Sequence, residues 1–157
     1  MNTRFGLILA VAGGLLPALA AADATSSFLV GDPSPARAQL PFSDAVHAGN
    51  TLYVSGTLGI DLAAADPKTA TVPADPASEA RKMLDNFKHA IEAAGFTMDE
   101  LVLVQVYCTD LDLYGTFNEV YRTYFHQHFP ARAFIGASKL VRGAHFEIKG
   151  TAVKGVH

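Results

Sequence analysis

The sequence predicts an α+β fold in which two helices pack on one face of a mixed β-sheet, in the order β-β-α-β-α-β-β. Three observations predict it. Two stretches, Pro76 to Ala94 and Asp112 to Phe129, carry apolar residues at helical spacing. Shorter stretches around them alternate apolar and polar side chains with the period of a strand. The chain has 157 residues, 50% of them hydrophobic, and no internal repeat, which suits a single domain with one core.

Taken in order, the chain opens on a targeting pattern. Arg4 gives a positive start, an apolar run follows from Phe5 to Leu16, Pro17 breaks it, and small residues continue to Ala24. This predicts a secretory signal peptide over residues 1–22, cut after Ala20 or Ala22, and so a periplasmic or secreted protein. The run is shorter than the roughly 20 residues a membrane span needs. No stable membrane association is therefore expected once the leader is removed. Residues 23–40, with Thr25-Ser26-Ser27 and Gly31-Asp32-Pro33-Ser34-Pro35, read as a flexible tether in which Phe28-Leu29-Val30 retain the means to dock. The domain proper is expected over 41–157.

Two short strands are predicted around a turn at Ala48-Gly49-Asn50, the second running from Leu52 to about Leu58. Strict alternation would put Leu52, Val54, Gly56 and Leu58 on one face and Tyr53, Ser55 and Thr57 on the other. Ala63 to Asp75 reads as an exposed loop. Asp75-Pro76 opens the first helix, with Asp75 as cap and Pro76 where a missing N–H costs nothing. Its stripe is Ala80, Met83, Leu84, Phe87, Ala90, Ile91 and Ala94, and Gly95 closes it. The next strand buries Val102, Val104, Val106 and Cys108 on one side and shows Leu103, Gln105, Tyr107 and Thr109 on the other. A second helix is predicted from Asp112 to Phe129, with Phe117, Val120, Tyr121 and Tyr124 as its stripe.

The stretch Pro130 to Ile148 closes the order with two strands and a turn at Gly143. On the last strand Ala144, Phe146 and Ile148 share one face, and His145, Glu147 and Lys149 the other. On the strand before it, Arg132 opposes Ala131, Ala133 and Ile135. If the two strands are neighbours, a guanidinium and a carboxylate share one polar face, as a surface ion pair or as a site. The outer sheet face, with Tyr53, Leu103, Gln105, Tyr107 and Glu147, has no third helix to cover it, which predicts cover by further copies of the chain.

Composition removes several functions. The net charge is −3, and loss of Arg4 with the leader makes it −4. An acidic domain without a basic stripe gives no footprint for nucleic acid. The single cysteine, Cys108, excludes an intrachain disulfide. Six histidines form no metal-ligand spacing, and no phosphate-cradling glycine motif or nucleophile elbow occurs. His145 is a minor acid/base candidate from its place beside Glu147.

Five motifs carry a resemblance: Pro41-Phe42-Ser43, Leu52-Tyr53-Val54-Ser55-Gly56, Phe117-Asn118-Glu119-Val120-Tyr121, Phe129-Pro130-Ala131-Arg132 and Gly143-Ala144-His145-Phe146-Glu147-Ile148. In this order and spacing the chain resembles the RidA (YjgF-like) reactive-intermediate deaminase family from Pro41 to about Val153. The resemblance implies a chorismate-mutase-like fold, a homotrimer with a site in each cleft between subunits, and hydrolysis of enamines and imines such as 2-aminoacrylate to 2-oxo acids and ammonia without a cofactor or metal. Carried over by position, Arg132 is the arginine for the substrate carboxylate and Glu147 the acid near the attacking water. Ser55 and Asn118 line or support the cleft, and Phe42, Phe134 and Tyr107 are taken with them as substrate-binding. The chemistry is consistent, since a guanidinium binds a carboxylate through two parallel hydrogen bonds and a carboxylate relays protons to and from water.

Three positions depart from the family pattern. Phe42 stands where a tyrosine is common, Thr57-Leu58-Gly59 replaces a Gln-Ile-Pro-like run, and Phe134 stands where a small residue or cysteine is frequent. They leave room for a rival reading, a non-catalytic trimer that binds small carboxylates or stabilises a partner in the periplasm. An endoribonuclease role, attached to some relatives, conflicts with the acidic charge.

Overall fold

A computed structural model describes residues 26–29, 40–62 and 69–155. The expected leader lies outside the described residues, as do 23–25 and 30–39 of the expected tether and 63–68 of the expected loop.

Six strands make one sheet, in spatial order β1-β2-β3-β6-β4-β5. They are β1 (Ser26–Leu29), β2 (Ala45–Ala48), β3 (Thr51–Leu58), β4 (Leu101–Cys108), β5 (Ala131–Gly136) and β6 (Phe146–Val153). All neighbours are antiparallel except β4 and β5. The helices are α1 (Pro76–Ala93), between β3 and β4, and α2 (Tyr114–Tyr121), between β4 and β5. Parallel strands need a crossover, and α2 supplies it. The predicted class is the observed one, with β1 added: four residues of the expected tether pair with β2 along its whole length.

The α1 stripe is the centre of the core. Ala80, Met83, Leu84, Phe87 and Ile91 are fully buried, against Leu52, Val104, Val106, Phe146 and Ile148 of the sheet. Each large apolar side chain so buried contributes about 1.5–3 kcal/mol. Asp75 caps the helix, accepting from the Ser78 N–H at 2.8 Å. At the other end Gly95 takes φ 79°. Its N–H reaches Glu92 O at 2.9 Å and the Phe96 N–H reaches Ile91 O at 3.1 Å, the paired closing bonds of a helix ended by a left-handed residue.

Two features of α1 escape the apolar pattern. Asn86 is buried and donates to Leu58 O and Ile60 O at 2.9 and 2.8 Å, pinning the chain after β3. Glu79 is 0% exposed. Its carboxylate accepts the His145 and Phe146 backbone N–H groups at 2.7 and 3.0 Å, and its other oxygen lies 2.7 Å from His145 Nδ1. His145 therefore turns to the helix side and does not stand beside Glu147 as alternation predicts.

The second helix is shorter than its apolar stripe predicts. It is regular only to Tyr121, continues as a 3₁₀ turn over Arg122–Tyr124, and is extended at Phe125. The Thr123 hydroxyl, bonded to Val120 O at 2.7 Å, closes the last turn. The aromatic spacing continues because Tyr121, Phe125 and Phe129 still stack on one another at 4.7–6.3 Å without a helix.

The expected hairpin between the last two strands is not present. β4 lies between β5 and β6. The connecting segment turns at Val141–Gly143, where Arg142 and Gly143 take φ 64° and 66°.

Candidate active site

β5 and α2 build the first cluster. Parallel register sets Arg132 beside Val104 and Phe134 beside Val106, so both project toward the helices. The Ala131 and Ala133 side of β5 is the exposed one. α2 then presents Tyr114, Phe117, Asn118 and Tyr121, three and four residues apart, to the arginine. Asn118 Oδ1 accepts from Arg132 Nη2 at 2.7 Å. The guanidinium lies 4.6 Å from the Tyr121 ring centre and 5.7–5.8 Å from those of Phe117, Tyr114 and Phe134. Phe134 meets Phe117 and Tyr114 edge-on at 5.2 and 5.0 Å. The phenyl ring thus braces the arginine through its neighbours instead of standing free in a cleft.

A cavity of about 390 Å³ opens here, lined by Tyr114, Asn118, Tyr121, Arg122, Phe129, Pro130 and Arg132. Among the described residues Arg132 has no acidic partner. Its charge marks the groups around it. The Asn118 side chain, and after it the Arg132 charge, hold the Tyr114 phenol below its usual range. Burial pushes the Tyr121 phenol well above it, and its hydroxyl has no hydrogen-bond partner among the described residues. The arrangement is a rigid, aromatic-walled guanidinium with its charge unspent, which is the chemistry of a carboxylate receptor.

β3 and β6 build the second cluster on the opposite face. Antiparallel register sets Glu147 beside Tyr107 and Leu58. β3 carries one extra residue between Val54 and Thr57. This bulge inverts the alternation: Thr57 pairs with Ile148 on the helix side, and Leu58 pairs with Glu147 on the outer side. Gly56 lies under the carboxylate, and a side chain there would collide with Glu147 Oε1. Burial pushes the Glu147 carboxyl above its ordinary value, against a smaller opposing effect of Lys149. The Ser55 hydroxyl donates to Ser43 O at 2.7 Å, which makes it a fastener of the bulge. Phe42, next to Ser43, is 54% exposed. Farther along the same outer face, Tyr53 and Leu103, both opposite Thr151, are 53% and 44% exposed.

One expectation is thereby overturned. Arg132 and Glu147 do not share a polar face: they stand on opposite sides of the sheet, with β4 between their strands. Of the predicted site residues, Arg132, Asn118 and Phe134 come together. Glu147 and Tyr107 pair across β4 and β6, Ser55 belongs to the bulge beside Gly56, and Phe42 precedes its acceptor Ser43 in the chain. Sequence reasoning missed Tyr114, Arg122 and Phe129 as cavity residues and read Tyr121 as plain core. The available signal was the aromatic run along 114–129, whose period matches the reach of one guanidinium. Among the described residues no group of histidine, cysteine, aspartate and glutamate is placed to hold a metal ion.

Comparison with known proteins bears on this pair of clusters. The family model described as Endoribonuclease L-PSP matches residues 33–154, which contain every residue of both. A RutC family protein of Sulfurisphaera tokodaii is 38% identical over 116 residues, 73% of this chain and 89% of the relative. The 2-iminobutanoate/2-iminopropanoate deaminase of Escherichia coli K12 is 36% identical over 117 residues, 73% of this chain and 88% of the relative. The chain belongs to the RidA (YjgF-like) family. The crystal structure of the YjgF gene product from E. coli superposes with a TM-score of 0.68 at 34% identity, covering 82% of this chain and 98% of that one. The sheet and its two helices are thus the RidA fold.

Proposed function

We propose that this RidA-family chain hydrolyses reactive imines and enamines of small amino acids, 2-aminoacrylate-like compounds, to 2-oxo acids and ammonia. The observation that carries the reading is Arg132, a half-buried guanidinium fixed by Asn118 and four rings, without an acidic partner among the described residues, opening into a cavity. The deaminase name of relatives 36% identical supports it.

In this reading Arg132 holds the substrate carboxylate through two parallel hydrogen bonds. Water attacks the imine carbon. Glu147 takes a proton from that water and returns it to the nitrogen, giving a carbinolamine; it then carries the hydroxyl proton to the nitrogen as well, and the C–N bond breaks to release ammonia as the carbonyl forms. A carboxyl raised by partial burial is a better base near neutrality than an ordinary one. Because Arg132 and Glu147 cannot meet within one chain, the site joins Arg132 of one copy to Glu147 of a neighbouring copy. The uncovered outer sheet face supports such an assembly, a homotrimer, with one site per interface. The leader pattern of residues 1–22 supports action outside the cytosol.

The test uses imines generated from small amino acids and measures ammonia and 2-oxo acid. Arg132→Ala is expected to lower kcat/KM by about a hundredfold or more, the loss of two charge-assisted bonds. Wild-type rates in that variant would refute the assignment. Binding of 2-oxo acids by the wild type with no ammonia release would assign the chain to carboxylate capture instead.

A further inference from the structure

The cavity beside Arg132 holds a second guanidinium that the proposed reaction does not use. Arg122 lies one helical turn after Asn118, and its Nε approaches Asn118 O at 3.3 Å. Asn118 thus touches both arginines, Arg132 through its side chain and Arg122 through its carbonyl. No aspartate or glutamate lines the cavity. Neither arginine has an ion-pair partner among the described residues. Two like charges facing one cavity repel each other, and an anion between them removes that cost.

We propose that the cavity selects substrates with two acidic groups: the imine or enamine of an amino acid whose side chain ends in a carboxylate. The inference rests on the deaminase reading and names its substrate class. Arg132 takes the carboxylate next to the imine carbon, and Arg122 takes the one on the side chain. Phe129 and Tyr114 line the same cavity with exposed ring surface, which suits the methylenes that separate the two carboxylates. Tyr121 forms part of the same wall. A cavity of about 390 Å³ is in the range of small-ligand sites, roughly 300–1,000 Å³, and larger than a three-carbon acid requires.

The experiment is calorimetric titration of the full oligomer with 2-oxobutyrate and with 2-oxoglutarate, alongside turnover of the corresponding imines. Wild type is expected to bind the diacid about tenfold or more tightly than the monoacid, the worth of one charge-assisted contact. Arg122→Gln is expected to bring that ratio close to one, and Arg122→Lys to restore part of it, since a lysine keeps the charge without the fork. Equal affinities in wild type, an undiminished ratio in Arg122→Gln, or no binding of either acid would each overturn the inference. Turnover separates this failure from failure of the parent reading. Normal hydrolysis of monocarboxylate imines without diacid preference sinks only the inference, whereas wild type inactive on every imine sinks the deaminase reading itself.

Discussion

At the scale of single residues, Glu147 gives the proposed reaction its pH dependence. Burial raises its carboxyl above the ordinary value of 4.5. The base is the ionised form, so activity is expected to rise with pH through the raised value and to be lost below it. Stability runs the other way. Between 4.5 and the raised value the folded state holds a proton that the unfolded state has released, so stability falls as pH rises through that window. Glu147→Gln is therefore expected to abolish the acidic limb of the rate profile and, near neutrality, to melt no lower than wild type. A rate profile unchanged in Glu147→Gln would remove Glu147 from the chemistry. Arg132 shows how far one residue is legible. The carboxylate-binding role proposed for it was legible in its neighbours in sequence, Phe129-Pro130-Ala131, through family resemblance. Its place does not. A charged residue alternating with alanines reads as solvent-facing, and only the rings of α2, distant from β5 in sequence, make the helix side hospitable to it.

At the scale of elements, α1 does more than bury a stripe. Glu79 binds the backbone at the entry to β6 and so sets where that strand begins, one residue before Glu147. Glu79→Leu leaves two N–H groups without acceptors, the buried one of Phe146 and the half-buried one of His145. It is expected to cost about 3 kcal/mol, a fall in Tm on the order of 10 °C. Glu79→Gln keeps the backbone acceptor and is expected to cost less than about 1 kcal/mol. Thermal melts of both variants check this, and equal melting of the Leu variant and wild type would contradict the role. The apolar periods of α1, β4 and β6 were readable because burial there repeats with the element. Glu79 was not, since its partners lie 66 and 67 residues away. The β3 bulge was not either: one extra residue inverts every later side chain, and nothing in Val54-Ser55-Gly56-Thr57 fixes which residue is the extra one.

At the scale of the whole molecule, the sheet order separates the two clusters. Element order was legible, but placing β4 between β5 and β6 depends on pairing between distant segments, which local pattern does not encode. The proposed catalytic pair, Arg132 and Glu147 in the chain's last quarter, is therefore divided between opposite faces of the sheet. The account stands on those halves meeting between copies. Mixing Arg132→Ala and Glu147→Gln chains, each inactive alone, tests it after unfolding and joint refolding at equal amounts. An interface is intact when its arginine comes from one variant and its glutamate from the other, so random assembly makes about a quarter of the sites whole in a ring of like interfaces. Recovery of roughly a quarter of wild-type imine hydrolysis is expected. Mixed oligomers as inactive as either variant alone would contradict it.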